Sequence, residues 1–435
     1  MTLTATTTTA TMTAPSRLRA ILGGSAGNLV EWYDWYTYSA AALYFAPIFF
    51  PNGNNTDQLL QTAAVFAVGF FARPLGAWLM GRYADRVGRK AALTLSVSMM
   101  CAGSLVIAIT PGAAQIGIAA PIILLLARIF QGLSLGGEYG ASATYMSETA
   151  GRRHRGFWSS FNYVTLIGGQ LVALAVLIVL QRVLSKQDMA AWGWRIPFVI
   201  GAGLALVAFW LRSKLQESES FIRAAAAPAE RGSLRLLLTE HPRETLSILG
   251  LTAGGSMIFY IYTTYMQKFL TNTAGFSKVE ATDLSALTLV AFLVAQPLCG
   301  WISDQVGRRI MLLIAFGGGV LITWPIMTRI AATHSLGMAF FLILIPIFFE
   351  SAYTSISAVV KAELFPTNLR SLGVAFPYAV ANAVFGGTAE YVALWFKSIG
   401  LESGFYVYAS VLSAIAFIAA LSIRDTQRHS RILED

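Results

Sequence analysis

The sequence predicts an all-α membrane protein of 12 transmembrane helices, built as two six-helix halves with a central cytoplasmic loop between them. Three observations predict it. Of 435 residues, 56% are hydrophobic and only 12% charged, with a mean hydropathy of +0.61, too apolar for a soluble domain. Apolar stretches longer than the roughly 20 residues that cross a bilayer recur along the chain. A cationic loop signature also occurs twice, first as Gly81-Arg-Tyr-Ala-Asp85-Arg-Val-Gly88-Arg89-Lys90 and again as Gly300-Trp-Ile-Ser-Asp304-Gln-Val-Gly307-Arg308-Arg309. Each copy closes one apolar segment and opens the next, as a duplicated membrane unit requires.

Met1 to Ser16 is rich in Thr and Ala without an apolar core, so 1–16 is expected to be a disordered leader and not a cleaved signal. Apolar stretches bounded by charges, Gly or Pro then place helices at 18–48, 57–82, 90–110, 117–146, 156–182 and 194–213, an N-terminal half over 17–213. The first signature joins the second and third of these, where its glycines let two helix ends approach and its Arg and Lys stay in water. Residues 214–243 are highly charged and contain Ala-Ala-Ala-Ala-Pro-Ala-Glu, a linker composition. The C-terminal half, 244–424, repeats the plan with helices at 244–270, 279–303, 308–330, 336–361, 370–396 and 401–424, followed by a tail over 425–435. Parallel duplication sets a pseudo-twofold axis along the membrane normal, with a substrate site between the halves near mid-membrane.

Most of the 31 Lys and Arg residues fall on the cytoplasmic side if the N-terminus is cytoplasmic, so the positive-inside rule puts both termini there. The net charge of +9 does not point to nucleic acid, because the basic residues lie between hydrophobic segments instead of forming one face. Cys101 and Cys299 sit in apolar segments outside any CxxC or Cys/His spacing, so no disulfide framework and no metal is expected. The chain carries no Gly-x-x-x-x-Gly-Lys-Ser, His-Glu-x-x-His or nucleophile elbow, so no cofactor and no enzymatic activity is expected.

The duplicated signature, the helix count and the central loop resemble the major facilitator superfamily over nearly the whole chain. Within it, Gly27-Asn28-Leu-Val-Glu31-Trp32-Tyr33-Asp34 and Phe71-Ala-Arg73-Pro74-Leu-Gly76 resemble the metabolite:proton symporter family. The runs Gln131-Gly-Leu-Ser-Leu-Gly-Gly-Glu138-Tyr-Gly, Tyr163-Val-Thr-Leu-Ile-Gly-Gly-Gln170, Thr263-Thr-Tyr-Met-Gln267-Lys268 and Tyr378-Ala-Val-Ala-Asn382-Ala are similar to bacterial dicarboxylate carriers of that family. The resemblance implies proton-coupled import of a dicarboxylate, alpha-ketoglutarate first, by alternating access in a bacterial inner membrane, by a monomer. Symport or exchange of another organic acid, or of a zwitterion such as proline or betaine, is the alternative. A transport-inactive membrane sensor is the alternative of another class.

Ionisable groups within the spans locate the chemistry, since each costs about 2.5–3.5 kcal/mol at a helix centre. Arg73, nine residues before Arg82, lies about 13 Å from the cytoplasmic end of its helix. It is a candidate carboxylate ligand, or else a structural Arg bonded to carbonyls around the Pro74 kink. Asp34 and Arg128 fall at matching depth in the outer half, and their positions resemble the Asp and Arg of proton-coupled sugar porters. The resemblance implies a direct pair in which a proton on Asp34 frees Arg128, with Glu31 as the alternative carrier and Arg128 also near substrate. Glu31 is otherwise expected to bond Asn28 or a tyrosine. Gln170, after Gly168-Gly169, resembles a sugar-porter ligand position. Tyr33, Tyr262 and Asn382 are expected to complete the cavity, ahead of Tyr260, Tyr265, Tyr353 and Tyr378. Glu350 and Glu390 have no partner legible in the sequence, and Lys268 reads as a snorkelling lysine or an anion attractor.

The two signatures are expected to govern conformation. Asp85, Arg89 and Lys90 with Glu148 and Arg155 form the first gate network, and Asp304, Arg308, Arg309, Glu363 and Arg370 the second. Gln305 stands where the first copy has Arg86, which predicts a weaker second gate.

Overall fold

The computed structural model describes residues 14–87, 89–135, 147, 151–213 and 234–432. The described residues are helical and contain no strand. The long helices are α1 (Ala14–Phe49), α2 (Asn55–Val87), α3 (Arg89–Ile109), α4 (Ala119–Leu135), α5 (Arg155–Val183) and α6 (Ile196–Ser213). They continue as α7 (Pro242–Tyr260, Ile261–Tyr265 and Met266–Asn272), α8 (Lys278–Val306), α9 (Arg308–Ala332), α10 (Leu336–Thr354 and Ser357–Glu363), α11 (Thr367–Ala381, Asn382–Gly386 and Ala389–Ser398) and α12 (Glu402–Ser422). Eight described helices are long and apolar enough to cross a bilayer, and Thr94–Ile109, Ala119–Ser134 and Gly193–Val207 are shorter apolar helices.

Burial is inverted relative to a water-soluble protein. Arg128, Arg155, Arg308, Arg370, Lys268 and Glu390 are buried, whereas Ile109, Leu126, Leu321, Phe341 and Ile418 are exposed. Apolar side chains on the outside and charges on the inside are what a hydrocarbon solvent selects.

Where helices must deviate, the sequence supplies the means. Pro47, Pro74, Pro297, Pro325, Pro346 and Pro377 lie inside helices, each removing a backbone donor. Ile261–Tyr265 in α7 and Asn382–Gly386 in α11 are π-helical turns, a form that concentrates at functional sites. Ser277 starts α8 with a capping box: its hydroxyl accepts from Glu280 N, and Glu280 accepts from Ser277 N. In the second signature, Gly307 has φ +97° and turns the chain from α8 into α9; a Cβ there would lie 2.5 Å from Asp425 Oδ2.

The α1–α6 and α7–α12 groups pack along α5 and α8. At the end of the bundle carrying the α2–α3 and α8–α9 junctions, here the loop face, a Cβ on Gly156 would lie 2.5 Å from Gly300 O, and one on Gly300 2.6 Å from Gly156 O. Only glycine permits that backbone approach. At the opposite face, Arg182 pairs with Asp283 at 3.0 Å and Asn55 bonds Asn272 at 3.0 Å. Contacts between the groups therefore exist at both faces.

Two expectations change. The region expected as a linker contains a helix, Leu234–Glu240, whose Leu237 packs with Ile248 and Phe365. The leader expected over 1–16 gives way to helix from Ala14; residues 1–13 lie outside the described residues. The tail is built into the protein, because Ile432 is buried with Ala358, Ala362 and Val374.

Candidate substrate and proton site

Asp34 lies on α1, 2% exposed, and its carboxylate is fully engaged. Ser104 Oγ on α3 donates to Oδ1, and Gln131 Nε2 on α4 donates to Oδ2 at 2.7 Å. Gln131 Oε1 in turn accepts from Arg128 Nη1 at 2.9 Å. The amide can be oriented only one way, because a guanidinium only donates and a carboxylate only accepts. The expected direct Asp34–Arg128 pair is thus a relay through Gln131. Gln131 sits three residues after Arg128, so one face of α4 presents both groups.

Arg128 is 0% exposed, and its Nε and Nη2 have no hydrogen-bond partner among the described residues. Aromatic faces hold it instead: its guanidinium carbon is 3.8 Å from the Trp35 ring centroid and 4.4 Å from that of Tyr38. Arg73 lies over the same indole at 4.1 Å and over Phe70 at 4.0 Å. Among the described residues Arg73 bonds no backbone carbonyl and closes no ion pair, so the structural reading around Pro74 loses its support. Its electrostatic neighbours are Tyr260 on α7, Tyr378 on α11 and Glu31 on α1. Tyr260 also interacts with Asn382. Arg73 therefore faces the other helix group at the two π-helical turns, an arrangement suited to an anion between them.

The remaining candidates divide. Asn382 is 3% exposed, its Oδ1 2.5 Å from where a Gly386 Cβ would be. Gln170 is 1% exposed, and neither of its amide atoms bonds a partner among the described residues. Tyr33 turns away and donates to Pro197 O at 2.8 Å, within α1–α6 packing. Tyr262 faces Thr323 and Tyr406 inside the α7–α12 group, so Tyr260 takes the place expected for it. Arg128 is enclosed beside Trp35 and linked to Asp34 through Gln131. Asn28 donates to Thr165 Oγ1 at 2.9 Å instead of bonding Glu31.

Lys268 is not a snorkelling lysine. It is 0% exposed and pairs with Glu390 at 2.8 Å. Ser39 on α1 completes the unit, donating to Glu390 Oε2 at 3.1 Å and accepting from Lys268 Nζ at 2.5 Å. Tyr36 Oη, one turn earlier, donates to Thr263 O in the α7 π-turn at 2.7 Å. Glu350 is 4% exposed and its Oε1 has no hydrogen-bond partner among the described residues.

At the loop face, Asp304 crosses between the helix groups. Its Oδ1 and Oδ2 accept from Gly156 N at 2.8 Å and Phe157 N at 3.0 Å, the first turn of α5. A carboxylate there satisfies orphan donors and complements the helix dipole. Arg308 pairs with Asp304 at 2.8 Å, and Arg308 and Arg155 both act on Glu363. Arg370 Nη2 donates to Arg431 O at 3.1 Å. Arg309 leaves the network and donates to Leu421 O on α12. Gln305 is exposed and takes no part in this contact. The side chains of Asp85, Arg89 and Lys90, and the whole of Glu148, lie outside the described residues. The tail is a further component: Asp425 Oδ1 accepts from Arg308 N at 3.1 Å, Thr426 donates to Glu363 at 2.6 Å, and Gln427 donates to Asp304 O at 2.9 Å.

Sequence reasoning missed Trp35, Ser104, Gln131 and the tail. Gln131 was visible as a polar group at i+3 from an intramembrane Arg, but nothing local marks Ser104 as a neighbour of Asp34.

Comparison with known proteins gives the family and the fold of the chain. The family model for sugar (and other) transporters matches residues 20–232 and 224–430. The alpha-ketoglutarate permease of Escherichia coli (strain K12) is 51% identical over 416 residues, 96% of each chain. A citrate-proton symporter of Salmonella typhi is 32% identical over 408 residues, 93% of this chain and 94% of the symporter. A partially occluded inward-open structure of the xylose transporter XylE from E. coli shares the fold with a TM-score of 0.75 at 17% identity, covering 94% of this chain and 97% of that one. The chain belongs to the family of sugar and other transporters, within the major facilitator superfamily.

Proposed function

We propose that this protein imports a dicarboxylate, alpha-ketoglutarate, together with protons. The observation that carries the reading is Arg73: a guanidinium that bonds no carboxylate among the described residues, is held on aromatic faces, and is turned toward Tyr260 and Tyr378 of the opposite helix group. An organic anion entering such surroundings gains a charge-assisted, geometrically matched partner. The 51% identity to an alpha-ketoglutarate permease over 96% of both chains supports the choice of anion. Asn382 and Gln170 supply neutral hydrogen bonds beside it.

All of the long helices cross the membrane, α1–α6 and α7–α12 as two six-helix halves, in a bacterial inner membrane with both termini cytoplasmic. The chain works as a monomer and catalyses no covalent chemistry. Asp34 carries the proton. When a proton arrives from outside, the carboxylate no longer needs both of its donors, and Gln131 loses its hold on α1. Arg128, bound to Gln131, then keeps only its aromatic contacts with α1, among them Trp35, which it shares with the substrate cation Arg73. The Asp304 contact holds the loop face shut while the site faces outward, and the Lys268–Glu390–Ser39 unit closes the other side during release. A proton accompanying the dianion lowers the electrical work, about 2.3 kcal/mol per charge against 100 mV.

The test is uptake of labelled alpha-ketoglutarate into proteoliposomes, with and without an inward proton gradient. The expected result is gradient-driven accumulation by the wild type, no binding by Arg73→Ala, and exchange without accumulation by Asp34→Asn. Accumulation of a different solute, with alpha-ketoglutarate ignored, overturns the substrate assignment.

A further inference from the structure

At the loop face, Arg431 of the tail is held by α10, α11 and α7. Its N donates to Glu363 O at 3.0 Å, and its O accepts from Arg370 Nη2 at 3.1 Å. Its guanidinium reaches α7, where Nη2 donates to Glu244 Oε1 at 3.1 Å and Nη1 lies 3.3 Å from His241 Nδ1. A guanidinium only donates, so His241 Nδ1 accepts and the ring carries its hydrogen on Nε2. The next residue, Ile432, is buried under α10 and α11, and the preceding Ser430 accepts from Arg155 Nη1 on α5 at 3.5 Å. Arg431 thus fastens to α7 a segment that touches both helix groups.

His241 is fixed by its backbone. Its N donates to Leu237 O at 3.1 Å, ending the helix Leu234–Glu240, and its O accepts from Thr245 N at 3.1 Å in the first turn of α7. The ring meets Phe365 edge-on, with centroids 6.0 Å apart. Its Nδ1 is also 3.7 Å from Glu244 Oε1, the oxygen that Arg431 holds. One nitrogen cannot accept from the guanidinium and donate to the carboxylate at once. A proton on Nδ1 therefore removes the acceptor for Arg431, sets a second cation beside it and makes His241 a rival for Glu244. Around this group, Arg235, Glu240 and Arg243 are exposed, Glu363 and Arg370 meet the Arg431 backbone, and Lys361 is turned toward the Tyr378 ring. In the tail, Arg428 and His429 are exposed, and His429 Nδ1 lies 3.1 Å from Asp425 O of its own turn.

We propose that His241, Glu244 and Arg431 form a pH-operated clasp for the tail: with His241 neutral the tail is fastened to α7, and a proton on His241 releases it. The sign follows from the geometry, because the fastened form uses the Nδ1 lone pair and falling pH takes that lone pair away. Release weakens the brace that the tail gives the loop face through Arg308 N, Glu363 and Asp304 O. The clasp itself needs no substrate, and its use rests on the proton-import reading above: a carrier that delivers protons to the loop face meets there a group that responds to them.

The experiment is the mobility of a nitroxide on a cysteine replacing His429, read by electron paramagnetic resonance on the purified full-length protein without substrate. Cys101 and Cys299 are buried, so the label reports on the tail, and the substitution removes the tail's own imidazole as a source of the response. With His241 intact, the mobile fraction is expected to rise about threefold or more from about pH 8 to about pH 5.5, a modest shift because the charges are partly exposed. His241→Asn and His241→Gln, neutral throughout, should each abolish that response, and either one decides the matter if the other does not fold. Arg431→Gln should give a mobile tail already at about pH 8. A response that persists in the neutral variants, a tail with His241 intact that stays immobile at the acid end, or an immobile tail in Arg431→Gln overturns the clasp. Failure of alpha-ketoglutarate transport would leave these results standing, since no substrate enters the measurement.

Discussion

Arg73 and Arg128 stack on the same indole, that of Trp35, with their guanidinium carbons 4.1 and 3.8 Å from the ring centroid. One cation faces the other helix group and the other ends the relay to Asp34, so Trp35 stands between the proposed substrate ligand and the proposed proton carrier. Trp35→Leu removes both cation–π contacts, each worth about 2 kcal/mol when desolvated. Proton-driven uptake is expected to fall about tenfold or more, with Trp35→Phe intermediate. Wild-type uptake by Trp35→Leu would show that the two arginines act independently.

The Gln131 relay gives the pH dependence its sign. If Asp34 is the proton carrier proposed above, its protonation from outside loads the carrier, and at fixed internal pH uptake is expected to rise as external pH falls. Gln131→Leu breaks the link between Asp34 and Arg128 and should flatten that slope, as should Asp34→Asn, while exchange of internal for external substrate continues. Initial rates measured across an external pH series decide the matter, and an unchanged slope in Gln131→Leu rejects the relay.

Lys268 and Glu390 form a buried pair, so removing one partner strands the other. Lys268→Met is expected to cost about 3–5 kcal/mol, and Lys268→Met combined with Glu390→Gln to recover most of it. Thermal unfolding of the single and double variants measures the difference. A double variant no more stable than Lys268→Met would mean that the charges do not depend on one another.

Asp304 and the tail hold the loop face as one unit. Asp304→Asn weakens the bonds to the first turn of α5 and the ion pair to Arg308, a loss of about 1–3 kcal/mol. Removal of 425–435 takes away the bonds to Arg308 N, Glu363 and Asp304 O. Both changes should speed thiol labelling of a cysteine placed at Asn382 from the loop face, and their combination should be less than additive. Unchanged labelling in both would remove this contact from the gate.

How much of this was legible in the sequence differs by element. The helices expected at 156–182, 279–303 and 336–361 are found at Arg155–Val183, Lys278–Val306 and Leu336–Glu363, because hydropathy and flanking charge act locally along the chain. Arg73, Asp34 and Arg128 were also legible, since an ionisable residue in an apolar stretch stands out regardless of what surrounds it. The choice of Tyr262 over Tyr260 was not. The two residues lie on one helix two positions apart and so project to different sides, and only the packing of α2 against α7 shows that Tyr260 is the one beside Arg73.

The sequence by itself determined the class of solvent around this protein, the order and length of its helices, the duplicated signature and the positions of its costly charges. The tertiary structure alone decided the partners. Gln131 and Ser104 reach Asp34 from α4 and α3, Lys268 finds Glu390 and Ser39, and Asp304 caps a helix of the other group. The physical reason is that hydrophobicity is a property of each residue and its near neighbours, whereas a buried charge is satisfied by whichever donors or acceptors packing brings within about 3 Å.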